Sequence, residues 1–144
     1  MRLSDASQND YSEILEVWEA SVRATHDFVS EADIAFYKPL ILNEYLDAVA
    51  LKCAIDDSGN IVGFIGVAEG NVEMLFIAPQ NRGTGVGKSL LMHGIDVMKA
   101  SKVDVNEQNP DAVGFYKHMG FKQVGRSETD GMGKPYPILH MELA

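Results

Sequence analysis

A glycine-rich run is the segment with the clearest capacity for chemistry. It reads Gln80-Asn81-Arg82-Gly83-Thr84-Gly85-Val86-Gly87-Lys88-Ser89, and it lies between a predicted strand and a predicted helix. The first N–H groups of a helix lack acceptors within the helix, and the helix dipole makes that end positive, so this turn is suited to holding a phosphate. The alternative is a tight turn without a ligand, because a short glycine pattern is a weak signal.

Two familiar phosphate-binding patterns fail at this run. A P-loop requires a glycine five residues before Gly87, and Arg82 occupies that position. A Rossmann fingerprint that starts at Gly83 requires its third glycine where Lys88 stands. A phosphate-binding NTPase is therefore only a distant alternative.

Strands are predicted on both sides of this run. Apolar runs and alternation predict an opening strand at residues 1–4 and three further strands at 49–55, 61–68 and 72–77. Because tight turns join these three strands, they should form an antiparallel meander. Later strands are predicted around residues 103–105, 121–124 and 136–143.

Helices are predicted between these strands. The first helix carries apolar residues at spacings of three and four, and residues 23–29 link it to a second that starts at the capping residue Ser30. Pro39 should kink or divide that second helix. A third helix follows Pro79, and a fourth starts at Asn109, since Asn caps well and proline suits the first helical position. The apolar positions of the first and third helices are Tyr11, Ile14, Leu15, Trp18 and Val22, and Val86, Leu90, Leu91, Val97 and Met98.

Two blocks of the sequence resemble the GNAT N-acetyltransferase superfamily. The run that starts at Leu75 and continues through Gln80, Gly83 and Gly85 resembles its acetyl-CoA signature, Gln/Arg-x-x-Gly-x-Gly/Ala at a strand-to-helix turn. The second block is similar to Asn-x-x-Ala-x-x-Phe-Tyr-x-x-x-Gly-Phe and reads Asn109-Pro110-Asp111-Ala112-Val113-Gly114-Phe115-Tyr116-Lys117-His118-Met119-Gly120-Phe121.

The resemblance covers nearly the whole chain, since the predicted order of elements is also that of the superfamily. Residues 23–28 and 133–137 further resemble a small bacterial branch of it. The resemblance implies an α/β (α+β) GNAT acyl-CoA N-acyltransferase fold. In that fold a mixed and largely antiparallel sheet with a splayed central strand pair is flanked by about four helices. We expect residues 1–144 to form a single GNAT acetyltransferase domain.

The resemblance also implies acetyl-CoA as cofactor and CoA as product. The N–H groups along residues 82–88 would hold the pyrophosphate, and the free backbone of Leu75 and Ile77 would pair with the pantetheine arm as an added strand would. Asn109 would reach that arm too, although a helix cap explains its setting equally well. The implied cofactor-binding residues are Leu75, Phe76, Ile77, Arg82, Gly83, Thr84, Gly85, Val86, Gly87, Lys88, Ser89, Asn109 and Tyr116.

Three residues are the candidates for catalysis. Tyr116 would give a proton to the departing CoA thiolate, because a phenol is protonated at neutral pH; the alternative is a core aromatic. No base for the acceptor amine is obvious. Glu73 is the first candidate, with an exposed strand carboxylate as the alternative, and His26 is the second, with a packed loop histidine as the alternative.

The acceptor is expected to be a small-molecule or peptide amine. The walls of its site in this fold come from the first two helices, their linker and the last hairpin, which carry Trp18, His26, Phe28, Tyr37 and Tyr136. Trp18 and Tyr37 also lie on apolar helix stripes, which are more often core than pocket. We expect a monomer or a homodimer and no metal, since His93, His118 and His140 show no metal-ligand spacing.

Composition excludes several classes of function. Among 144 residues, 46% are hydrophobic and the formal charge is -9, from 12 Lys and Arg against 21 Asp and Glu. That charge repels a phosphate backbone, so no nucleic acid partner is expected. Apolar runs are too short for a membrane span, and neither a leader pattern nor a cysteine pair is present, so we expect a cytoplasmic protein with no membrane partner and a buried Cys53.

These observations predict an N-acetyltransferase that transfers acetyl from acetyl-CoA directly to an amine. The alternative is a CoA-binding or interaction module that has the GNAT fold and little or no turnover, because the base is not evident.

Overall fold

One seven-stranded sheet organises the protein, whose computed structural model describes residues 1–144. Its strands are β1 (Arg2–Asp5), β2 (Ala50–Ile55), β3 (Ile61–Ala68), β4 (Asn71–Ile77), β5 (Lys102–Asn106), β6 (Phe121–Ser127) and β7 (Ile138–Leu143). They lie in the order β1-β2-β3-β4-β5-β7-β6. Every neighbouring pair is antiparallel except β4 and β5. The predicted mixed, largely antiparallel sheet is confirmed.

Four α-helices flank this sheet: α1 (Tyr11–Thr25), α2 (Glu31–Leu40), α3 (Val86–Asp96) and α4 (Pro110–His118). The Ser30 side chain caps α2 by accepting a hydrogen bond from Asp33 N–H at 3.1 Å. Pro39 lies just before the end of α2, and the chain continues as a π-helical turn over Ile41–Tyr45, so the predicted division is confirmed. Helix α1 extends to Thr25, into the segment predicted as a linker, and the true connection is shorter.

Two hydrophobic cores lie on opposite faces of the sheet. Helices α1 and α2 pack with β2, β3 and β4 around Phe64, Ile14 and Leu46. Helices α3 and α4 cover the other face, where Leu90 and Leu91 belong to the same core cluster as residues of β5 and β7. No helix covers the β5, β7 and β6 half of the first face, where Lys102, Asp104 and Glu142 are exposed.

Strands β4 and β5 pair for only two residues. The register joins Asn71 to Lys102 and Val72 to Val103, and no pairing follows. On the other side of β4, Gly66 pairs with Met74 while Val67 pairs with Val72, so Glu73 is the extra residue of a β-bulge. The bulge directs Val72 and Met74 to opposite cores. The predicted splayed central pair is confirmed.

Val97 departs from the prediction. We expected it on the buried side of the third helix, but α3 ends at Asp96 and the Val97 side chain is 63% exposed. Lys99 follows with a positive φ of 62°, so the chain leaves the helical path at this point.

The buried state of Cys53 is confirmed, and burial raises the pKa of its thiol to about 12.

Phe64 and Val97 provide a matched test of the core. Phe64 is 0% exposed, and its ring lies 5.8 Å from that of Phe76. We expect Phe64→Ala to lower the free energy of unfolding by about 3–5 kcal/mol in urea titrations, because it removes buried area and leaves a cavity. Val97→Ala should change it by less than about 0.5 kcal/mol. Equal effects of the two substitutions would contradict this assignment of the core.

Candidate active site

The turn before α3 presents a row of free backbone donors. The N–H groups of residues 83–88 make no hydrogen bond within the chain, whereas Ser89 N–H donates to Gly85 O at 3.0 Å. Gly83 and Gly85 have positive φ angles of 77° and 89°, a conformation that strains other residues. Six adjacent donors at the positive end of a helix form an anion-binding cradle.

A cavity of about 320 Å³ extends from this turn along β4 to α4. Lys88 forms no ion pair there, while Arg82 lies 3.4 Å from the carboxylate of Asp111. Ten of the predicted cofactor residues line the cavity, namely Leu75, Phe76, Ile77, Arg82, Gly83, Gly85, Gly87, Lys88, Asn109 and Tyr116.

Three predicted cofactor residues do not line this cavity. The Val86 side chain is buried in the core beneath α3, and the Thr84 hydroxyl donates to Asn81 O. Ser89 lies beyond the last free donor. The Asn109 side chain accepts from Ala112 N–H at 3.3 Å, so it caps α4 and also faces the cavity.

Tyr116 lies where this cavity meets the cleft between β4 and β5. The side chain is 6% exposed, and its ring packs at an angle against Phe115 and Phe121. Its hydroxyl makes no hydrogen bond within the chain, yet it is not among the enclosed polar atoms without a partner, so it opens to the cavity. Burial raises the pKa of Tyr116, which keeps the phenol protonated.

His26 lies at the end of α1 and faces both spaces. The Thr25 hydroxyl donates to Ser21 O at 2.7 Å, so it accepts from His26 Nδ1–H, also at 2.7 Å. Nε2 then carries the free lone pair. Burial lowers the pKa of His26, and no acidic group offsets that effect. The ring is therefore neutral at neutral pH.

The cleft itself is narrow, about 90 Å³, and holds two carboxylates. Glu73 from the bulge and Asp104 from β5 line it together with His26 and Tyr116. Glu73 is exposed and forms no ion pair. Asp104 Oδ1 lies 2.6 Å from His140 Nδ1, and His140 Nε2 lies 2.7 Å from Ser127 Oγ. The cleft thus brings together the three predicted catalytic residues and adds Asp104.

The predicted acceptor walls divide into two groups. Trp18 is 7% exposed in the core of α1 and lines none of these cavities. The Phe28 ring lies 5.2 Å from His26 and 6.0 Å from Tyr136, so these three form a wall beside the cleft. Tyr37 lines a separate cavity of about 420 Å³ that shares Glu73 and Met74 with the cleft.

Hydrogen bonds fasten α2 to the loop between β6 and β7. Tyr37 donates to Asp130 and Tyr136 donates to Asp33, while Lys134 Nζ lies 3.1 Å from Asp33 Oδ1. The hydrogen bond from Tyr136 and the contact with Lys134 hold the pKa of Asp33 below its usual range. The contacts lie on one side of the predicted acceptor region, and only the two tyrosines were predicted from sequence.

Asp104, Ser127 and His140 were missed in the sequence. The alternation Val103-Asp104-Val105 did signal that Asp104 lies on the face opposite the core. No local pattern joins it to His140, which is 36 residues away.

Comparison with known proteins decides the family. A model of the acetyltransferase (GNAT) domain matches residues 22–143. The chain belongs to the GNAT acetyltransferase family. The peptidyl-lysine N-acetyltransferase YjaB of Salmonella typhimurium is 44% identical over 128 residues, which are 89% of this chain and 88% of that protein. YjaB of Escherichia coli K12 is 41% identical over 129 residues, 90% of this chain and 87% of that one.

Solved structures support the same GNAT assignment. The solution structure of apo-form YjaB from Escherichia coli superposes with a TM-score of 0.86 at 38% identity, covering 100% of this chain and 99% of that one. The PaiA N-acetyltransferase of Thermoplasma acidophilum, crystallised with coenzyme A, superposes at 0.73 with 25% identity and 98% coverage of both chains. The matches to YjaB confirm the predicted resemblance to a small bacterial branch of the superfamily.

This GNAT enzyme is therefore an N-acetyltransferase that uses acetyl-CoA. The free donors of residues 83–88 and the unpaired edge of β4 fit a pyrophosphate followed by an amide-bearing arm. The alternative of a binding module without turnover is not favoured, because the similar proteins are named as acetyltransferases. None of its helices has the length and hydropathy that a membrane crossing requires.

Gly85→Val and Gly59→Val test the cradle. Both glycines have similar φ angles, 89° and 87°, and an added Cβ meets nothing within 4 Å at either. Each substitution should strain the backbone by at least about 1–2 kcal/mol. Only Gly85→Val should also abolish the rise in Tm with acetyl-CoA, which corresponds to about 2.7 kcal/mol at a hundred times Kd, because its side chain obstructs the cradle.

Thermal unfolding of the parent and both variants, with and without acetyl-CoA, measures this effect. ATP with magnesium serves as a second ligand and should leave Tm unchanged. A retained acetyl-CoA shift in Gly85→Val, or equal stabilisation by ATP, would contradict the assignment of the cradle.

Proposed function

We propose that the acceptor is the ε-amine of a lysine in a peptide or protein. The similar proteins from Salmonella typhimurium and Escherichia coli carry that activity in their names. Glu73 and Asp104 give the cleft negative charge that suits an ammonium group. The uncovered face of β5, β7 and β6 beside it leaves room for a peptide main chain.

In this proposal Tyr116 is the general acid. Acetyl-CoA, when bound, supplies the acetyl group as a thioester and leaves as a thiolate that needs a proton. The Tyr116 hydroxyl is uncommitted, faces the cavity and stays protonated because burial raises its pKa. It therefore holds a proton ready at the point where α4 meets the cleft.

Two further residues handle the acceptor. Glu73, exposed at the bulge, lines the cleft, the cavity beside Tyr37 and a further cavity on the open face, so it draws an ammonium towards the cleft. His26, with Phe28 and Tyr136, forms the apolar wall, and its Nε2 is free to accept a hydrogen bond from the amine. Neutral His26 lacks an acidic partner that would stabilise its protonated form, so it is a weak proton acceptor.

The proposal extends to the setting of the enzyme. The whole chain, residues 1–144, would act as one catalytic domain in the cytoplasm. The single cysteine, which is buried and unpaired, fits a reducing compartment.

A panel of acceptors tests the lysine proposal. We expect N-terminally blocked peptides with one lysine to release CoA, with the acetyl group located on the lysine by mass spectrometry. Matched peptides carrying Nε-acetyl-lysine or arginine at that position should release none. Acetylation of small amines such as spermidine, without acetylation of any lysine peptide, would contradict the proposed acceptor.

Tyr116→Phe tests the acid. The substitution keeps the ring and its packing, so binding of acetyl-CoA should stay within about twofold. Loss of the hydroxyl should lower kcat by a factor of about 10² to 10⁴. Phe115→Leu, beside it on α4, is the packing control. A kcat for Tyr116→Phe within about twofold of the parent would mean that Tyr116 is a core aromatic residue and not the general acid.

A further inference from the structure

A hydrogen-bonded chain of three side chains crosses the uncovered face of the sheet. Asp104 on β5 and His140 on β7 are paired in register, and Ser127 lies on the edge strand β6. A carboxylate only accepts hydrogen bonds, so His140 Nδ1–H donates to Asp104 Oδ1 at 2.6 Å. On the other side of the ring, His140 Nε2 lies within hydrogen-bond distance of Ser127 Oγ, at 2.7 Å. The imidazole is held at both nitrogens and in turn holds the carboxylate.

Asp104 is the member of this chain that reaches the reaction cleft. It lines the cleft with Tyr116 and His26, and it also lines a cavity of about 330 Å³ on the open face with His140. One carboxylate oxygen is committed to His140. The other has no partner in the chain and is free to meet an acceptor amine.

Comparison with the other groups of the cleft favours Asp104. Glu73 is exposed, as Asp104 is, but no hydrogen bond orients its side chain. His26 is oriented by Thr25, but it is half-buried without an acidic partner. Preorganised groups contribute most to catalysis, because they need no reordering at the moment of reaction.

We propose that Asp104 is the general base of this acetyltransferase and that His140, supported by Ser127, is its positioning residue. Asp104 Oδ2 binds the acceptor ammonium; the N–H bond breaks and an O–H bond forms on Oδ2. The freed nitrogen lone pair then forms the bond to the acetyl carbon as the carbon–sulfur bond breaks; the nitrogen loses its second proton to solvent to give the neutral amide, and Tyr116 protonates the sulfur. The proton on Asp104 passes to solvent on the open face, and solvent returns one to Tyr116. The inference needs an amine acceptor, not specifically lysine.

Charged groups surround Asp104 from several elements. Lys102 on β5 and His140 and Glu142 on β7 share its cavity, and so do Glu69 and Glu73 from β4 and its turn. His26 and Tyr116 lie across the cleft. Variants at these positions distinguish the role of Asp104 from the electrostatic effect of the other charged groups on this face.

Asp104→Asn is the deciding variant. An asparagine oxygen still accepts from His140, so packing is kept while the proton acceptor is lost. We expect kcat to fall by a factor of about 10² to 10⁴ with acetyl-CoA binding unchanged in thermal shifts. Its rate should also rise about tenfold per pH unit towards the ordinary amine pKa of about 10.4, since only amine that is already neutral reacts. A merely structural defect would keep the pH profile of the parent.

Four further variants complete the test. Glu142→Gln, on the same face but outside the cleft, should keep kcat within about twofold. Glu73→Gln should raise KM rather than lower kcat. His140→Ala should lower kcat by up to about a hundredfold, because it leaves Asp104 unheld, and His140→Gln, whose amide can donate to Asp104, should restore part of that loss.

The assays use whichever amine of the acceptor panel the parent acetylates. Failure of every lysine peptide therefore overturns the proposed acceptor without affecting this test. A kcat of Asp104→Asn within about threefold of the parent, or the steep alkaline recovery in Glu73→Gln or His26→Gln instead, would overturn the assignment of Asp104.

Discussion

The short pairing between β4 and β5 is the constraint on which the rest of the site depends. Two strands that pair at Asn71 and Val72 and then separate leave the edge of β4 without partners. Unpaired backbone groups in a sheet are costly when they are buried, so a stable cleft must stay open to water or take an extended ligand. The bulge at Glu73 lies directly after the last paired residue, and a bulge bends the strand that contains it. In the proposed mechanism, the cofactor, the acceptor and the catalytic groups all meet in the space that results.

The cradle explains how an acidic protein binds an anionic cofactor. With 12 basic and 21 acidic residues, the overall field opposes phosphate. Arg82 is partly offset by Asp111, so it adds little net charge. Six free N–H groups at the start of α3 act at contact distance, and their partial charges do not depend on the net charge. The acidic side chains remain available at the other end of the cleft, where the proposed acceptor brings an ammonium group.

The predictable part of the site is the part with short sequence separation. Gly83 and Gly85 take positive φ angles next to a helix start, and Asn109-Pro110 begins α4, so local chemistry predicts both. The order of the helices and strands could be predicted from the spacing of apolar residues for the same reason. The chain of Asp104, His140 and Ser127 depends on the register between β5, β7 and β6, which no local pattern encodes. The prediction that Val97 is buried was wrong, because the helical spacing of apolar residues continues past the residue where the helix ends.

Acid and base chemistry require opposite environments, and the sheet separates them. Tyr116 lies on the face covered by α3 and α4, where burial raises the pKa of its phenol and keeps its proton in place. Asp104 lies on the uncovered face, where His140 Nδ1–H donates to one of its carboxylate oxygens. A carboxylate on the buried face would tend to be neutral, and a phenol on the open face would hydrogen bond to water. Because β5 ceases to pair with β4 after Val103, the two groups face one cleft from these two environments. In the proposed mechanism, the same strand separation that admits the cofactor therefore allows one reaction centre both to remove and to supply a proton.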